Sequence, residues 1–254
     1  MRKISILMVS VLCMMMPVGA EAQVPTAFVS KGTTDIQAQP HTITQTSSGA
    51  QWAPVDPMVR SITMDNGLPS NAVRSVVQGL KGYMWFGTDN GLCRFDGYDV
   101  KTYYNPFTAI DQYVAALTAC EEGLLVGCNN GAYLFSYETD RFQKLSYKIT
   151  APVLNFSLDG DQNVWISTNG QGVFRYNRTT HELHQYPMKN IQGIVQCTLV
   201  DANNQVWMLS NHSKASIYHL NKSTDQFEAF PVRGDATMFY GMAMLASPDG
   251  NIYV

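Results

Sequence analysis

Charged side chains are scarce in this sequence. They make up 15% of its 254 residues, and the formal net charge is only −3. No basic stripe is present, so the composition favours neither a nucleic-acid partner nor an anionic membrane surface. Apolar residues reach 45%, which is enough for a sizeable core. The polar remainder is rich in Asn, Gln, Ser, Thr and Gly, which suits short strands joined by tight turns.

Long apolar runs are also lacking, except at the N-terminus. Arg2 and Lys3 precede the apolar stretch Ile4–Val18, and Ala20–Ala22 forms an A-x-A cleavage site. The alternative is a short membrane anchor, but the stretch is shorter than the roughly 20 residues that span a bilayer. We therefore predict a signal peptide, 1–22, cleaved after Ala22. The mature chain is expected to be periplasmic, with no further membrane span.

Cysteine is infrequent, and no C-x-x-C pair occurs. Cys13 would leave with the signal peptide, and the remaining four would enter an oxidising compartment where disulfides can form. Their spacing does not place Cys120 opposite Cys128, so we expect buried thiols and leave their disulfide status open. The four are Cys93, Cys120, Cys128 and Cys197.

A polar stretch separates the predicted signal peptide from the patterned part of the chain. Thr42–Gly49 is polar and has no periodicity, which predicts a disordered linker over 23–57. From residue 58 onward the sequence repeats itself. Five anchor positions, mostly aromatic, recur at spacings of 40, 40, 42 and 46 residues: Trp85, Leu125, Trp165, Trp207 and Tyr253.

Periods of this length are typical of β-propellers or helical arrays. Each copy contains an apolar run, a Gly or Asn turn, the anchor run, a second turn and an alternating run such as Val173–Tyr176. Alternation with a period of two indicates strands, and no stretch has sustained helical spacing, which excludes a helical array. We predict an all-β fold, a partial β-propeller over 58–254 with four-stranded blades. The predicted blades are about 73–107, 114–147, 153–188, 194–232 and an incomplete fifth at 242–254.

The fifth copy favours a truncated open arc of four blades plus the start of another, over the alternative of a four-bladed ring. Arg60–Met64 is predicted to be a closing strand. The large anchor ring on the second strand should fill the gap between neighbouring blades, because it removes on the order of 200 Å² from water. Leu125 is smaller, so the junction it serves is expected to be less filled.

Two stretches resemble a known family. Asp65–Val73 (DNGLPSNAV) resembles the opening of the two-component regulator propeller repeats, and Lys81–Tyr98 (KGYMWFGTDNGLCRFDGY) resembles their blade motif. The chain departs from the motif at Gly79, where an acidic residue is common, and at Leu125, where tryptophan is usual.

The resemblance implies the periplasmic sensor region of a hybrid two-component protein, often responsive to oligosaccharides from glycan breakdown. Family members are similar in layout to two propellers, a β-sandwich, a membrane helix, a histidine kinase, a receiver and a DNA-binding domain. The implied partners of this chain are therefore an oligosaccharide, further blades and those signalling domains. The alternative is a stand-alone secreted propeller that acts as a binding or scaffold module.

An enzymatic propeller needs carboxylates or histidines that converge where its inner strands meet. Arg74 is the only charged residue on the predicted inner strands, so we expect no enzyme activity and no cofactor. Those strands are Val73–Gln78, Val114–Cys120, Val153–Leu158, Ile194–Val200 and Met242–Ala246. Asp159–Asn163 imitates a calcium loop but lacks its later ligands, and its place in the repeat predicts a hairpin turn. His181 and His184 are spaced to point to opposite sides of a strand, so no metal site is expected.

Aromatic and amide side chains between the first two blades are the only ligand-contact candidates. Sugar rings stack on flat apolar faces, and polar side chains bind their hydroxyl groups. The alternative is that these rings pack the junction between the blades. The candidates are Tyr103, Tyr104, Asn105, Phe107, Gln112 and Tyr113.

Overall fold

The computed structural model describes six stretches of the chain, all within the unit Met58–Val254. They are 61–108, 111–187, 194–211, 215–230, 243–247 and 251–254. The predicted signal peptide and linker lie outside the described residues and stay predictions.

In the described stretches, four antiparallel sheets of four strands each follow one another, and two short strands begin a fifth. Blade 1 contains β1 (Val73–Gln78), β2 (Met84–Thr88), β3 (Gly91–Phe95) and β4 (Val100–Tyr103). Blade 2 contains β5 (Val114–Cys120), β6 (Gly123–Cys128), β7 (Gly131–Ser136) and β8 (Arg141–Lys144). Blade 3 contains β9 (Val153–Leu158), β10 (Asn163–Thr168), β11 (Gly172–Asn177) and β12 (Leu183–Tyr186). Blade 4 contains β13 (Ile194–Val200), β14 (Val206–Asn211), β15 (Ala215–Asn221) and β16 (Gln226–Phe230), and β17 (Leu245–Ala246) pairs with β18 (Ile252–Tyr253).

The first strand of each blade lies innermost. β1 contacts β5, β5 contacts β9, β9 contacts β13 and β13 contacts β17, so the sheets succeed one another around an arc. In each of the four complete blades the pairing of the first and second strands shifts by one residue at the start of the first strand. Such a bulge strengthens the twist of a strand. The predicted all-β propeller, with four blades and the start of a fifth, is confirmed.

Among the described residues, the core consists of three apolar clusters, each at a junction between neighbouring blades. Trp85 is 2% exposed between blades 1 and 2, and Trp165 is 1% exposed between blades 3 and 4. The two tryptophans therefore fill the gaps between sheets as predicted. Trp207 is half-buried and lies edge-on to Phe230 at 5.2 Å, and Tyr253 is exposed.

Leu125 is smaller but is as buried as Trp85 and Trp165, so the expectation of a less filled junction is wrong. The facing blade supplies the missing volume, because Phe156 of β9 lies in the same cluster. By strand register, Leu117 in blade 2 and Thr198 in blade 4 occupy the position that Phe156 occupies in blade 3. The anchor of the preceding blade that each of these two residues faces is a tryptophan. A small anchor is thus matched by a large partner, and a large anchor by a small one, which keeps the packing dense.

The predicted closing strand at Arg60–Met64 is wrong for the residues that are described. Residues 61–63 belong to no strand, and Met64–Asn66 forms a 3-10 turn capped by Thr63. The reason is local: Thr63 and Asn66 form a capping box, and Gly67 at φ 102° ends the turn in the left-handed region.

Candidate functional site

The loop between β4 and β5 is held in shape by two of the predicted candidates. The Asn105 backbone N–H donates to Gln112 Oε1 at 2.7 Å, and Gln112 Nε2 donates back to the carbonyls of Asn105 and Thr108. Asn105 is 3% exposed, and its Oδ1 accepts the Phe107 N–H. Because their polar groups are used within the loop, Asn105 and Gln112 position it.

Two aromatic candidates point outward from this loop. Tyr104 is 58% exposed and Phe107 is 45% exposed. The Phe107 ring stacks on Tyr133 of blade 2, with centroids 5.8 Å apart and planes 25° apart. Asn130 links the pair, since it donates to the Phe107 carbonyl and accepts from the Tyr133 hydroxyl. Phe107 is therefore a supported ring rather than a freely moving one.

Tyr103 lies on the other side of the chain from Tyr104. It is 8% exposed and packs between Trp85 and Phe135 at the junction of blades 1 and 2. Its hydroxyl donates to Asp140 of blade 2 at 3.3 Å. Tyr103 thus has the junction-packing role that the sequence left open for the whole group.

Tyr113, at the end of the loop, is half-buried and lies against Arg74 with 5.7 Å between the guanidinium carbon and the ring centroid. Arg74 is the residue bypassed by the shifted pairing of β1, and it makes a two-point ion pair with Asp89 at 2.6 and 2.9 Å. The sequence did not predict this pairing, because the bulge that turns Arg74 toward Asp89 has no signature of its own.

These residues gather at one edge of the sheets. Strand direction alternates, so the turns after β2 and β6 and the β4–β5 loop lie at the same edge. Asn129, in the turn after β6, donates to Asp111 of the loop at 2.7 Å. We call this edge of blades 1 and 2 the loop rim, and define it by Arg74, Asp89, Tyr104, Phe107, Asp111 and Tyr113.

The inner strands join the blades to one another through neutral side chains. Ser75 Oγ accepts the Leu117 N–H at 3.0 Å, Asn155 Oδ1 accepts the Thr198 N–H at 3.1 Å, and the Ser157 hydroxyl donates to the Thr198 carbonyl. These polar groups are therefore engaged in inter-blade bonds. No group of three His, Cys, Asp or Glu side chains that could hold a metal ion occurs in the part of the chain that the structure describes.

Asp159–Asn163 is a hairpin turn, as predicted. Asp159 accepts the N–H groups of Asp161 and Asn163 and, at 2.8 Å, the indole N–H of Trp165. Asp201 binds Trp207 in the same way at 2.9 Å. Burial opposes ionisation of Asp201, but the bonds from Trp207 and the backbone outweigh it and hold its pKa below the ordinary value.

A second repeated device joins the outer parts of the blades, and we call it the blade clamp. Asp140, in the turn between β7 and β8, accepts from Lys101 and Tyr103 of blade 1. Asp225, in the turn between β15 and β16, accepts from Arg175 at 3.0 and 3.2 Å and from the Tyr186 hydroxyl at 2.6 Å. Burial raises the pKa of Asp225, but these partners outweigh it and lower the pKa overall.

The junction of blades 2 and 3 is joined differently. There the Arg178 guanidinium pairs with Glu122 at 2.9 Å. Leu145 occupies the position in blade 2 that Tyr103 occupies in blade 1 and Tyr186 in blade 3. The evidence is the strand register: Leu145 lies opposite Ala132, as Tyr103 lies opposite Leu92 and Tyr186 opposite Val173. The clamp hydroxyl is therefore missing at this junction.

The four described cysteines are buried and unpaired. Burial raises the pKa of the Cys128 thiol to about 12, and those of Cys93, Cys120 and Cys197 to about 11. They are therefore protonated at neutral pH, which suits core packing rather than metal binding or nucleophilic attack.

No family model matches the chain, and no curated protein matches it in sequence. Solved structures do match. The extracellular domain assigned to the hybrid two-component system BT3049 from B. thetaiotaomicron is 19% identical, covers 76% of this chain and 28% of its own, and gives a TM-score of 0.63. The corresponding domain of BT4673 from the same organism is 18% identical, and the match covers 72% of this chain and 25% of that domain with a TM-score of 0.61. A streptogramin B lyase is 16% identical, with coverage of 73% and 62% and a TM-score of 0.57.

These similarities define the class of the molecule as a β-propeller. The resemblance to two-component propellers that the repeat motifs indicated is thereby confirmed at the level of the fold. The chain spans about a quarter of the length of those two extracellular domains. No helix among the described stretches is long and apolar enough to cross a bilayer.

Proposed function

We propose that this chain is a periplasmic ligand-sensing propeller of a hybrid two-component system, responsive to an oligosaccharide. The sheet arrangement shared with the extracellular domains of two such systems is the observation that carries the proposal. The motif-level resemblance of Asp65–Val73 and Lys81–Tyr98 points to the same class. On this proposal, 1–22 exports the chain, and its partners are further blades and the signalling domains encoded after them.

The loop rim supports the saccharide part of the proposal. Tyr104 and Phe107 are exposed aromatic side chains of the loop, and Asp111 is an exposed carboxylate of the same loop. A sugar ring buries its apolar face on such rings while its hydroxyl groups bind the polar neighbours. Because Phe107 is backed by Tyr133, the surface is formed before a ligand arrives, which lowers the ordering cost of binding.

The composition of the inner strands supports a sensor rather than an enzyme. Lyases share the fold, and a histidine-to-alanine variant of a virginiamycin B lyase from Staphylococcus aureus is catalytically inactive. Across the described parts of β1, β5, β9, β13 and β17, the only charged side chain is Arg74, and none is a histidine. These described strands therefore offer no carboxylate or imidazole group for general acid–base chemistry.

Binding is tested by titrating the exported chain with di- to hexasaccharides of cellulose, xylan, starch and mannan in a calorimeter. We expect saturable binding by at least one series and a loss of about tenfold in affinity in Phe107→Ala, equivalent to about 1.4 kcal/mol. Tyr98→Ala is the matched control, since Tyr98 is 87% exposed in the turn at the opposite edge of blade 1. Equal affinities of Phe107→Ala and the unaltered chain would refute the loop rim as the saccharide site.

The signalling assignment is tested separately by sequencing the genomic DNA downstream. We expect this DNA to encode more blades, a membrane helix and a histidine kinase, either directly in frame or after one frameshift. An unrelated gene behind a terminator would contradict the two-component assignment and favour the stand-alone secreted module.

A further inference from the structure

A cleft of about 500 Å³ opens on blade 3 beside its junction with blade 4. It lies at the edge of the sheets opposite to the loop rim, where β10 begins and β11 ends. We call it the blade 3 cleft. Its lining residues are Asn163, Arg175, Asn177, Glu182, Leu183 and His184.

The cleft exists because one side chain is short. In blade 1, Arg94 pairs across the strands with Trp85, and its guanidinium lies 4.7 Å from the ring centroid of Tyr83. In blade 3, Arg175 pairs with Trp165 in the same register. Asn163 then stands two residues before the anchor, at the place of Tyr83, and leaves the space beside the arginine open.

Three side chains around this space have unused hydrogen-bonding capacity. Arg175 uses two of its five N–H groups on Asp225. Among the described residues, the Glu182 carboxylate and the His184 imidazole make no hydrogen bond. The nearest carboxylate oxygen of Asp225 is 3.9 Å from His184 Nε2, which is beyond hydrogen-bond distance, and the His184 side chain is 51% exposed.

We propose that the blade 3 cleft binds a neutral sugar unit, independently of the loop rim. Free donors on Arg175 and free acceptors on Glu182 line the same cleft, and a hydroxyl group can satisfy both kinds. An anionic ligand would be repelled by the carboxylates of Glu182 and Asp225, and a cationic ligand would be repelled by the Arg175 guanidinium. A neutral polyol avoids both repulsions and therefore fits best. The volume falls within the range of small-molecule sites, and the half-exposed His184 ring is the aromatic side chain that lines the cleft.

The test is an NMR titration of the ¹³C,¹⁵N-labelled exported chain with cellobiose, xylobiose, lactose and maltose. At least one sugar is expected to produce a saturable shift of the His184 ring C–H resonances. Glu182→Ala should weaken binding about tenfold when it is followed through the same His184 resonances, and His184→Ala should do so when it is followed through the backbone amide shifts of residues 182–185. Gln143→Ala is the matched control, because Gln143 occupies the register position of His184 in blade 2, opposite Leu134, and should bind unchanged.

Several outcomes would overturn the proposal. One is the absence of any shift at His184 with all four sugars at about 20 mM, where even weak saccharide sites are occupied. Another is a parallel titration in which only the charged sugars glucuronate or glucosamine bind, because this result would exclude a neutral ligand. A His184 shift that is abolished by Phe107→Ala but not by Glu182→Ala would assign the binding to the loop rim. If Phe107→Ala leaves the affinity unchanged, the loop rim is refuted as a saccharide site, but the proposal for the cleft is not. Should a variant unfold, the His184 shift in the unaltered chain still decides.

Discussion

Replacing Trp165 by leucine tests the idea that anchor rings hold neighbouring blades together. Trp165 is 1% exposed and lies 5.5 Å from the Tyr186 ring and 6.1 Å from the Phe227 ring. The Arg175 guanidinium stands over its ring at 5.7 Å. Its indole N–H donates to Asp159. Leucine would remove most of these interactions while keeping an apolar side chain.

The cost follows from surface and hydrogen bonding. Leucine buries roughly 70 Å² less than tryptophan, which is worth about 2 kcal/mol at about 25 cal/mol per Å². The lost indole hydrogen bond to a carboxylate adds about 1–2 kcal/mol. Asp159 keeps its two backbone donors, so it is not left unsatisfied. We therefore expect Trp165→Leu to lower the free energy of unfolding by about 3–4 kcal/mol, a large fraction of the stability of a typical domain.

Urea unfolding followed by far-ultraviolet circular dichroism measures the change. Trp165→Phe is the graded control: it keeps an aromatic ring but loses the N–H donor, and we expect about half of the full cost. Trp207→Leu is the positional control, because Trp207 is only half-buried and should cost less. A loss below about 1 kcal/mol for Trp165→Leu would refute the anchor role.

Three further changes test the junctions. Leu125→Trp should destabilise the chain by about 1–3 kcal/mol in the same urea assay, because Phe156 already fills that junction; a stabilised variant would contradict this. Gly127→Ala should cost a similar amount, since a Cβ atom there would lie 2.8 Å from a methyl group of Val153, and an unchanged midpoint would refute the close approach. Asp225→Asn should flatten the loss of stability at low pH. The folded-state pKa of Asp225 is lowered, so its contribution is complete above the ordinary value of 3.8 and disappears as the pH falls through the lower folded pKa; acid titration curves that superimpose would count against the clamp.

Periodicity was sufficient to predict the arrangement of strands. The expected inner strands of the four complete blades, such as Val153–Leu158, coincide with those observed. The hairpin at Asp159–Asn163 followed from its place in the repeat. These features depend on local alternation and turn chemistry, which a single sequence contains.

Contacts between blades were not predictable in the same way. Tyr103 and Tyr104 are adjacent aromatic residues, and composition alone could not tell which one faces the junction. The two-fold alternation of β4 separates them, since Tyr103 ends the strand on its buried side. The clamp partner Asp140 has a weak signal in the sequence: an aspartate in the turn before the last strand recurs at Asp225, and the tyrosine at Tyr103 recurs at Tyr186.

The blade 3 cleft and the clamp between blades 3 and 4 share Arg175, so occupancy of one should be felt by the other. A neutral sugar that uses the free N–H groups of Arg175 leaves its two bonds to Asp225 intact and restricts the guanidinium further. We therefore expect cellobiose or another bound sugar to slow amide hydrogen exchange in the turn 221–225, because opening that turn would require release of the restrained arginine. The equivalent turn of blade 2, at 137–140, belongs to a clamp that the cleft does not touch and serves as the internal reference. Slowing of both turns alike would indicate a general effect of binding on stability, and no slowing at 221–225 in a chain that binds sugar at His184 would show that cleft and clamp are uncoupled.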